Sequence, residues 1–219
     1  MAGPGTRAGE RVASPQILQW VEQVHASHDA GLQAAHEAPE RFDLPPIHLA
    51  ASEGRLLELL LRMTGARKVV EVGTLAGYSA LWMARGLAED GRLWTIEADV
   101  RHAEVARQVV RDAGMAERIE LLVGDARDVL KGLERLGPFD AVFLDADKAG
   151  YVHYGRWAAA NLRPGGLLLA DNVYLFGRLL AEDDPEAEAM RTFHREAAQA
   201  FHTTCVPTPE GLLLGLRRG

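Results

Sequence analysis

The sequence predicts an α/β protein: a doubly wound, mostly parallel sheet with helices on both faces and an antiparallel C-terminal edge. Three observations carry this expectation. Past residue 67, short β-branched or apolar runs alternate with helical stretches, the pattern of repeated βα units. The closing segment TTCVPTPEGLLLGLRR reads as two strands joined by a turn at Pro209, Glu210 and Gly211, which makes an antiparallel pair. The chain has 219 residues, 47% of them hydrophobic, enough to enclose the core of one such domain.

The elements follow in order. Residues 1 to 14 are small, polar and rich in Gly and Pro, and are expected to be a disordered tail ahead of a single domain over 15 to 219. Ser14 as N-cap and Pro15 at the first helical position open a helix whose stripe Ile17, Leu18, Val21, Val24 continues loosely toward His36. Pro39, Pro45 and Pro46 interrupt, and SEGRLLELLLRM forms another helix with Leu56, Leu57, Leu60 and Leu61 on one stripe. The N-terminal helices, 15 to 64, are expected to cover the site. Strand and helix then alternate: KVVEVG and YSALWMARGL, RLWTIEA and VRHAEVARQVVRDAG, RIELLVGD and ARDVLKGLERL, DAVFLDA and GYVHYGRWAAANL, and finally GLLLADN. In AEDDPEAEAM, Pro185 with acids in the first turn marks a solvated helix start.

Composition excludes several function classes. A net charge of −7 with no run of Lys or Arg disfavours nucleic acid as a partner. No stretch approaches the roughly eighteen apolar residues of a membrane span, and MAGPGTRAGERVAS lacks a signal peptide's apolar block, so a soluble cytoplasmic protein without membrane contact is expected. The single Cys205 excludes an internal disulfide or a C-x-x-C site and is expected in the core.

In doubly wound sheets the ligand lies outside the carboxyl ends of the strands, where strand order reverses. The first strand ends in EVGTLAGYS, in which Gly73 and Gly77 permit close approach of backbone to a ligand and a helix N-terminus follows. The spacing is not the G-x-G-x-x-G of dinucleotide binders, and Glu71 would repel a pyrophosphate but suit an amine or a sulfonium. Glu97 ends the second strand, placed to accept hydrogen bonds from both hydroxyls of a ribose. Asp125 and Ala126 end the third; this pair either admits and orients an adenine ring or, through Asp125, caps the next helix.

The fourth strand ends in FLDADK and the fifth in ADN. Asp145, Asp171 and Asn172 thus converge as three oxygen ligands without sulfur or imidazole, the donor set of a hard cation such as Mg²⁺, with Mn²⁺ or Ca²⁺ as alternatives. Lys148 faces the same opening, and a neighbouring dication favours its neutral amine as a base.

EVGTLAGYS, FLDADKAGYVHY and ADN, in this order, resemble the cation-dependent O-methyltransferases that use S-adenosylmethionine, the group of catechol and caffeoyl-CoA O-methyltransferases and their bacterial relatives. The resemblance spans roughly residues 45 to 216. It implies the class I methyltransferase fold with a seven-stranded sheet, in a homodimer. It implies that Glu71, Gly73, Thr74 and Ser79 surround the methionine part of S-adenosylmethionine, Glu97 holds the ribose, Asp125 and Ala126 lie at the adenine, and Asp145 and Asp147 contact the cofactor. Asp145, Asp171 and Asn172 would hold the metal, and Lys148, with Asp145, would be catalytic. The implied reaction is methyl transfer to a hydroxyl of a vicinal-dihydroxy aromatic.

Two departures narrow it. Leu175 and Phe176 stand where the plant CoA-ester enzymes carry Trp-Asn, which favours a smaller phenolic acceptor over a CoA thioester, and Leu49 replaces a hydroxyl residue near the cofactor. Tyr174, Phe176, Trp157 and residues 44 to 48 are candidates for the acceptor pocket, against an ordinary core role. His25 and His28 fit a solvated helix face, and His48, His153 and His202 fit pocket lining at most. The competing readings are an NAD-dependent dehydrogenase, weakened by Glu71 and the missing fingerprint, and a non-catalytic cofactor-binding protein, opposed by the intact Asp145, Lys148, Asp171 and Asn172.

Overall fold

The computed structural model describes residues 14 to 219; the tail expected over 1 to 14 lies, apart from Ser14, outside the described residues. Seven strands, β1 (Lys68–Val72), β2 (Arg92–Glu97), β3 (Ile119–Val123), β4 (Phe139–Leu144), β5 (Leu162–Ala170), β6 (Phe201–Val206) and β7 (Leu212–Arg217), form one sheet in the order β3-β2-β1-β4-β5-β7-β6. The first five run parallel, and β7 pairs antiparallel with both β5 and β6. The expected fold class is met, with its order reversing between β1 and β4.

Strand residues alternate between two cores, as a period of two dictates. Val69, Leu93, Ala141, Phe143, Leu167 and Leu169 face one side, under α2 (Ala30–Arg41), α3 (Ala51–Thr64), α4 (Tyr78–Gly86) and α5 (Val100–Asp112). Val70, Ile96, Val142, Leu144, Leu168 and Ala170 face the other, under α6 (Ala126–Leu133), α7 (Tyr151–Asn161) and α8 (Pro185–Ala200). The last helix starts as expected: Asp184 caps it, Pro185 follows, and Glu186 and Glu188 occupy the first turn.

Several local expectations are corrected. The first helical pattern does not run unbroken to His36. It stops as α1 (Pro15–His25), and α2 begins anew because Asp29 accepts from Leu32 N at 3.0 Å as its N-cap. Pro39 does not end α2 but sits buried inside its last turns, two residues short of the terminus. Cys205 is half-buried rather than core, because β6 is the sheet's edge strand. Among the described residues no helix is long and apolar enough to cross a membrane.

Candidate active site

The strand ends are held level by a ladder that continues one residue past each strand. Gly73 N donates to Ile96 O, Asp145 N to Val72 O and Asp171 N to Leu144 O, at 2.9 to 3.0 Å. Gly73 is required at this seam: its φ is +98°, and a Cβ would lie 1.9 Å from the Asp145 carbonyl oxygen. The next glycine, Gly77, at φ +84°, turns the chain into α4. These strand ends, together with residues 47 to 50, Glu53, Phe176, Pro209 and Glu210, enclose a cavity of about 980 Å³.

The structure brings nearly every predicted residue to this cavity. Gly73, Thr74, Ser79, Glu97, Asp125, Ala126, Asp145, Asp147, Lys148, Asp171 and Asn172 all line it. Glu71 is the exception: it is fully buried one layer behind, and its Oε1 accepts from the Oγ of cavity-lining Ser79 while Oε2 has no hydrogen-bond partner. Burial, reinforced by the charges of Asp145 and Glu97, pushes its carboxyl up to about 8. A cation within reach would restore its charge.

Glu97 is held by backbone. Its Oε2 accepts from Thr74 N at 3.2 Å and Leu75 N at 2.8 Å, and Oε1 from Asp99 N at 3.0 Å. Since a carboxylate has about four acceptor sites, Oε1 keeps room for a ligand hydroxyl. Asp125 realises one of its two readings by capping α6, accepting from Arg127 N at 2.8 Å, and still lines the cavity. Asp147 accepts from the Tyr154 hydroxyl at 2.6 Å and faces Arg127 at 3.7 Å. Tyr154 is a wall residue that sequence reasoning missed, although its spacing from Asp147 along DADKAGYVHY was the available signal.

The other end carries unbalanced charge. Lys148 Nζ lies 2.7 Å from Asn172 Oδ1 and 3.4 Å from Asp145 Oδ1. Asn172 reaches it from a left-handed backbone, φ 55°, which asparagine tolerates better than most residues. Burial raises the Asp145 carboxyl, opposed by Lys148. Burial together with the Asp145 and Glu53 charges raises Asp171 to about 7. Asp145 and Asp171, the latter also facing the Glu53 charge, thus outnumber the one ammonium of Lys148, and the oxygen-only donors Asp145, Asp171 and Asn172 suit a hard dication that would relieve the repulsion. Among the described residues no group of three or more His, Cys, Asp or Glu has the geometry to hold a metal ion; this set contains two carboxylates and an amide.

Of the acceptor-pocket candidates, Phe176, Ile47 and His48 line the cavity. Trp157 is instead core, stacked near Phe139, and Tyr174 packs over Gly211. His153 and His202 are exposed and away from it. His28 is not a solvated helix residue: it lies between α1 and α2 and its Nε2 is 2.8 Å from the Tyr78 hydroxyl.

The sequence profile of the O-methyltransferase family matches residues 23 to 218. The chain belongs to that family. It is 43% identical over 178 residues to a catechol O-methyltransferase of Mycobacterium tuberculosis, covering 81% of this chain and 80% of the relative. Two solved structures share the fold closely. An O-methyltransferase from Bacillus cereus in complex with SAH superposes with a TM-score of 0.87 at 33% identity, covering 91% of this chain and 96% of that one. TomG from Streptomyces achromogenes, an O-methyltransferase of tomaymycin synthesis in complex with SAM, gives 0.88 at 36% identity, with 93% and 96% covered. The family membership expected from EVGTLAGYS, FLDADKAGYVHY and ADN is met, and the dehydrogenase reading falls with it.

Proposed function

We propose that this chain transfers the methyl group of S-adenosylmethionine to one hydroxyl of a small catechol-like acceptor, in a reaction that depends on a divalent cation. The observation that carries the reading is Lys148, whose Nζ stands 2.7 Å from Asn172 Oδ1 and 3.4 Å from Asp145 Oδ1 on the cavity that Gly73, Thr74 and Glu97 also line. A general base thereby adjoins both an oxygen donor set and a cofactor site.

Each residue then has a task. Gly73, Thr74 and Ser79 surround the methionine part, Glu97 accepts from the ribose hydroxyls, and Asp125, Ala126 and Asp147 border the adenine. The buried carboxyl of Glu71 offsets the positive charge of the cofactor from behind Ser79. Asp145, Asp171 and Asn172 would hold the cation, with Mg²⁺ the match for an all-oxygen set; when bound it supplies Lewis-acid polarisation of two adjacent acceptor oxygens. Lys148 takes the proton from one acceptor hydroxyl. That oxygen bonds to the methyl carbon as the carbon–sulfur bond breaks, leaving a neutral thioether and a methyl ether. Phe176, Ile47 and Pro209 supply apolar walls for an aromatic ring. Two copies pair in this reading, because α1 buries none of its residues and exposes Ile17, Leu18, Trp20, Val21 and Val24.

Methyl transfer to a panel of small catechols, with Mg²⁺ and with a chelator, tests the reading alongside calorimetric titration of S-adenosylmethionine. Turnover that stops under the chelator while cofactor binding persists is expected; full turnover under the chelator sinks the metal dependence. Light scattering during size-exclusion chromatography reads the dimer, and a monomer at micromolar concentration overturns it.

A further inference from the structure

As an ammonium, Lys148 has three N–H donors and three partners: Asn172 Oδ1 at 2.7 Å, Asp145 Oδ1 at 3.4 Å and the Tyr151 hydroxyl at 2.8 Å; as the neutral base it keeps two N–H donors and gains a lone pair. Two of these partners are the oxygens assigned to the cation. Tyr151 is the one partner outside that donor set, and it would remain an acceptor for the amine with the cation in place. Tyr151 is fully buried, does not line the cavity, and stands behind the lysine as the first residue of α7. Its own hydroxyl proton is committed: it donates toward Asp171 O at 2.9 Å, with Leu144 O at 3.2 Å as a second acceptor. These carbonyls belong to the end of β4 and the residue just past β5, so the phenol is anchored to the frame that presents Asp145 and Asp171. Its ring packs edge-on to Phe193 at 5.4 Å, and the Lys148 ammonium lies 4.7 Å from the ring centroid.

We infer that Tyr151 is the positioning residue of the base, its hydroxyl holding the Lys148 amine against the ends of β4 and β5 so that the nitrogen lone pair stays turned to the acceptor hydroxyl. The direction of the hydrogen bonds decides this. A phenol whose proton is given to a carbonyl offers lone pairs to the amine, so it accepts an N–H and leaves the amine's own lone pair free. A phenol with an uncommitted proton would donate to that lone pair and quench the base. Lysine also has four side-chain torsions, and an unanchored amine would sample many geometries in which proton transfer is too long. The inference rests on the proposed role of Lys148.

The test is Tyr151→Phe, which keeps the ring and removes the hydroxyl, in a cycle with Lys148→Ala. We expect kcat to fall about tenfold to a hundredfold with the affinities for S-adenosylmethionine and Mn²⁺ changed less than about twofold. The double variant is expected to be no slower than Lys148→Ala, because a residue acting through the lysine has nothing left to act on. An unchanged kcat, additive losses in the double variant, or a tenfold drop in Mn²⁺ affinity each overturn the inference. The ¹⁵N resonance of the Lys148 side chain gives a readout that does not need turnover: its ammonium protons should exchange with water at least tenfold faster in Tyr151→Phe, and equal exchange rates overturn the inference as well. A wild-type protein that methylates no catechol sinks the proposed function, while the exchange measurement still decides whether Tyr151 holds the lysine.

Discussion

The two ends of the cavity hold their acids in opposite ways. At the β2 end, Glu97 takes three backbone N–H groups, from Thr74, Leu75 and Asp99. At the end of β4 and β5, Asp145 and Asp171 repel one another, and burial with that repulsion carries Asp171 up to about 7. The first end is complete without a ligand and suits neutral hydroxyls. The second holds more negative charge than Lys148 balances, and such a group of buried acids is stable only with a proton or a cation. One cavity therefore combines a preformed cradle with a site that calls for charge.

The largest break in this contrast should come from Lys148→Ala. At saturating cofactor, kcat is expected to fall by about 10² to 10⁴, the usual contribution of a general base, while calorimetric affinity for S-adenosylmethionine stays within about twofold. Equal loss of both would mean that the two ends are not separable. Next is Gly73→Ala, at the seam that joins them. Its Cβ would meet the Asp145 carbonyl oxygen at 1.9 Å with φ at +98°, so chemical denaturation should show a loss of more than about 2 kcal/mol. Wild-type stability would show that the seam yields.

Glu97→Gln sharpens the contrast from the complete end. Cofactor affinity should drop about tenfold, near 1.4 kcal/mol, with kcat at saturation little altered. A larger effect on kcat would give Glu97 a task beyond binding. A further test, on stability and not on turnover, is the pH dependence of the ligand-free protein. Glu71 has a folded value of about 8 against an ordinary 4.5, so the folded state keeps a proton that the unfolded chain has lost. The stabilisation is complete below the ordinary value and is lost as pH rises toward about 8. Thermal denaturation from pH 5 to 8.5 should therefore decline more steeply for the wild type than for Glu71→Gln. Parallel curves would mean that Glu71 is ionised in the folded protein across this range.

Much of this was legible before folding was considered. Gly73, Glu97, Asp125, Asp145, Lys148, Asp171 and Asn172 sit at the ends of apolar runs, and parallel strands bring their ends to one edge of the sheet. The depth of Glu71 was not legible, because period-two alternation gives a residue's face and not what later covers it. Nor was the contact of His28 with Tyr78, which joins segments 50 residues apart. The break at Asp29 was hidden because the apolar spacing on either side fits one helix, and only the cap reveals two. Tyr151 was visible as the residue three after Lys148, yet its meaning depends on the carbonyls of Leu144 and Asp171, groups every residue has.

From the order of residues alone came the sheet class, the family and the identity of the charged groups, because periodicity and short motifs are local properties of the chain. Depth, partner and protonation came only with folding. Burial raises Glu71 and Asp171 by amounts set by what packs over them, and a hydrogen bond such as that of Lys148 to Tyr151 exists only once two strand ends and a helix start meet in space.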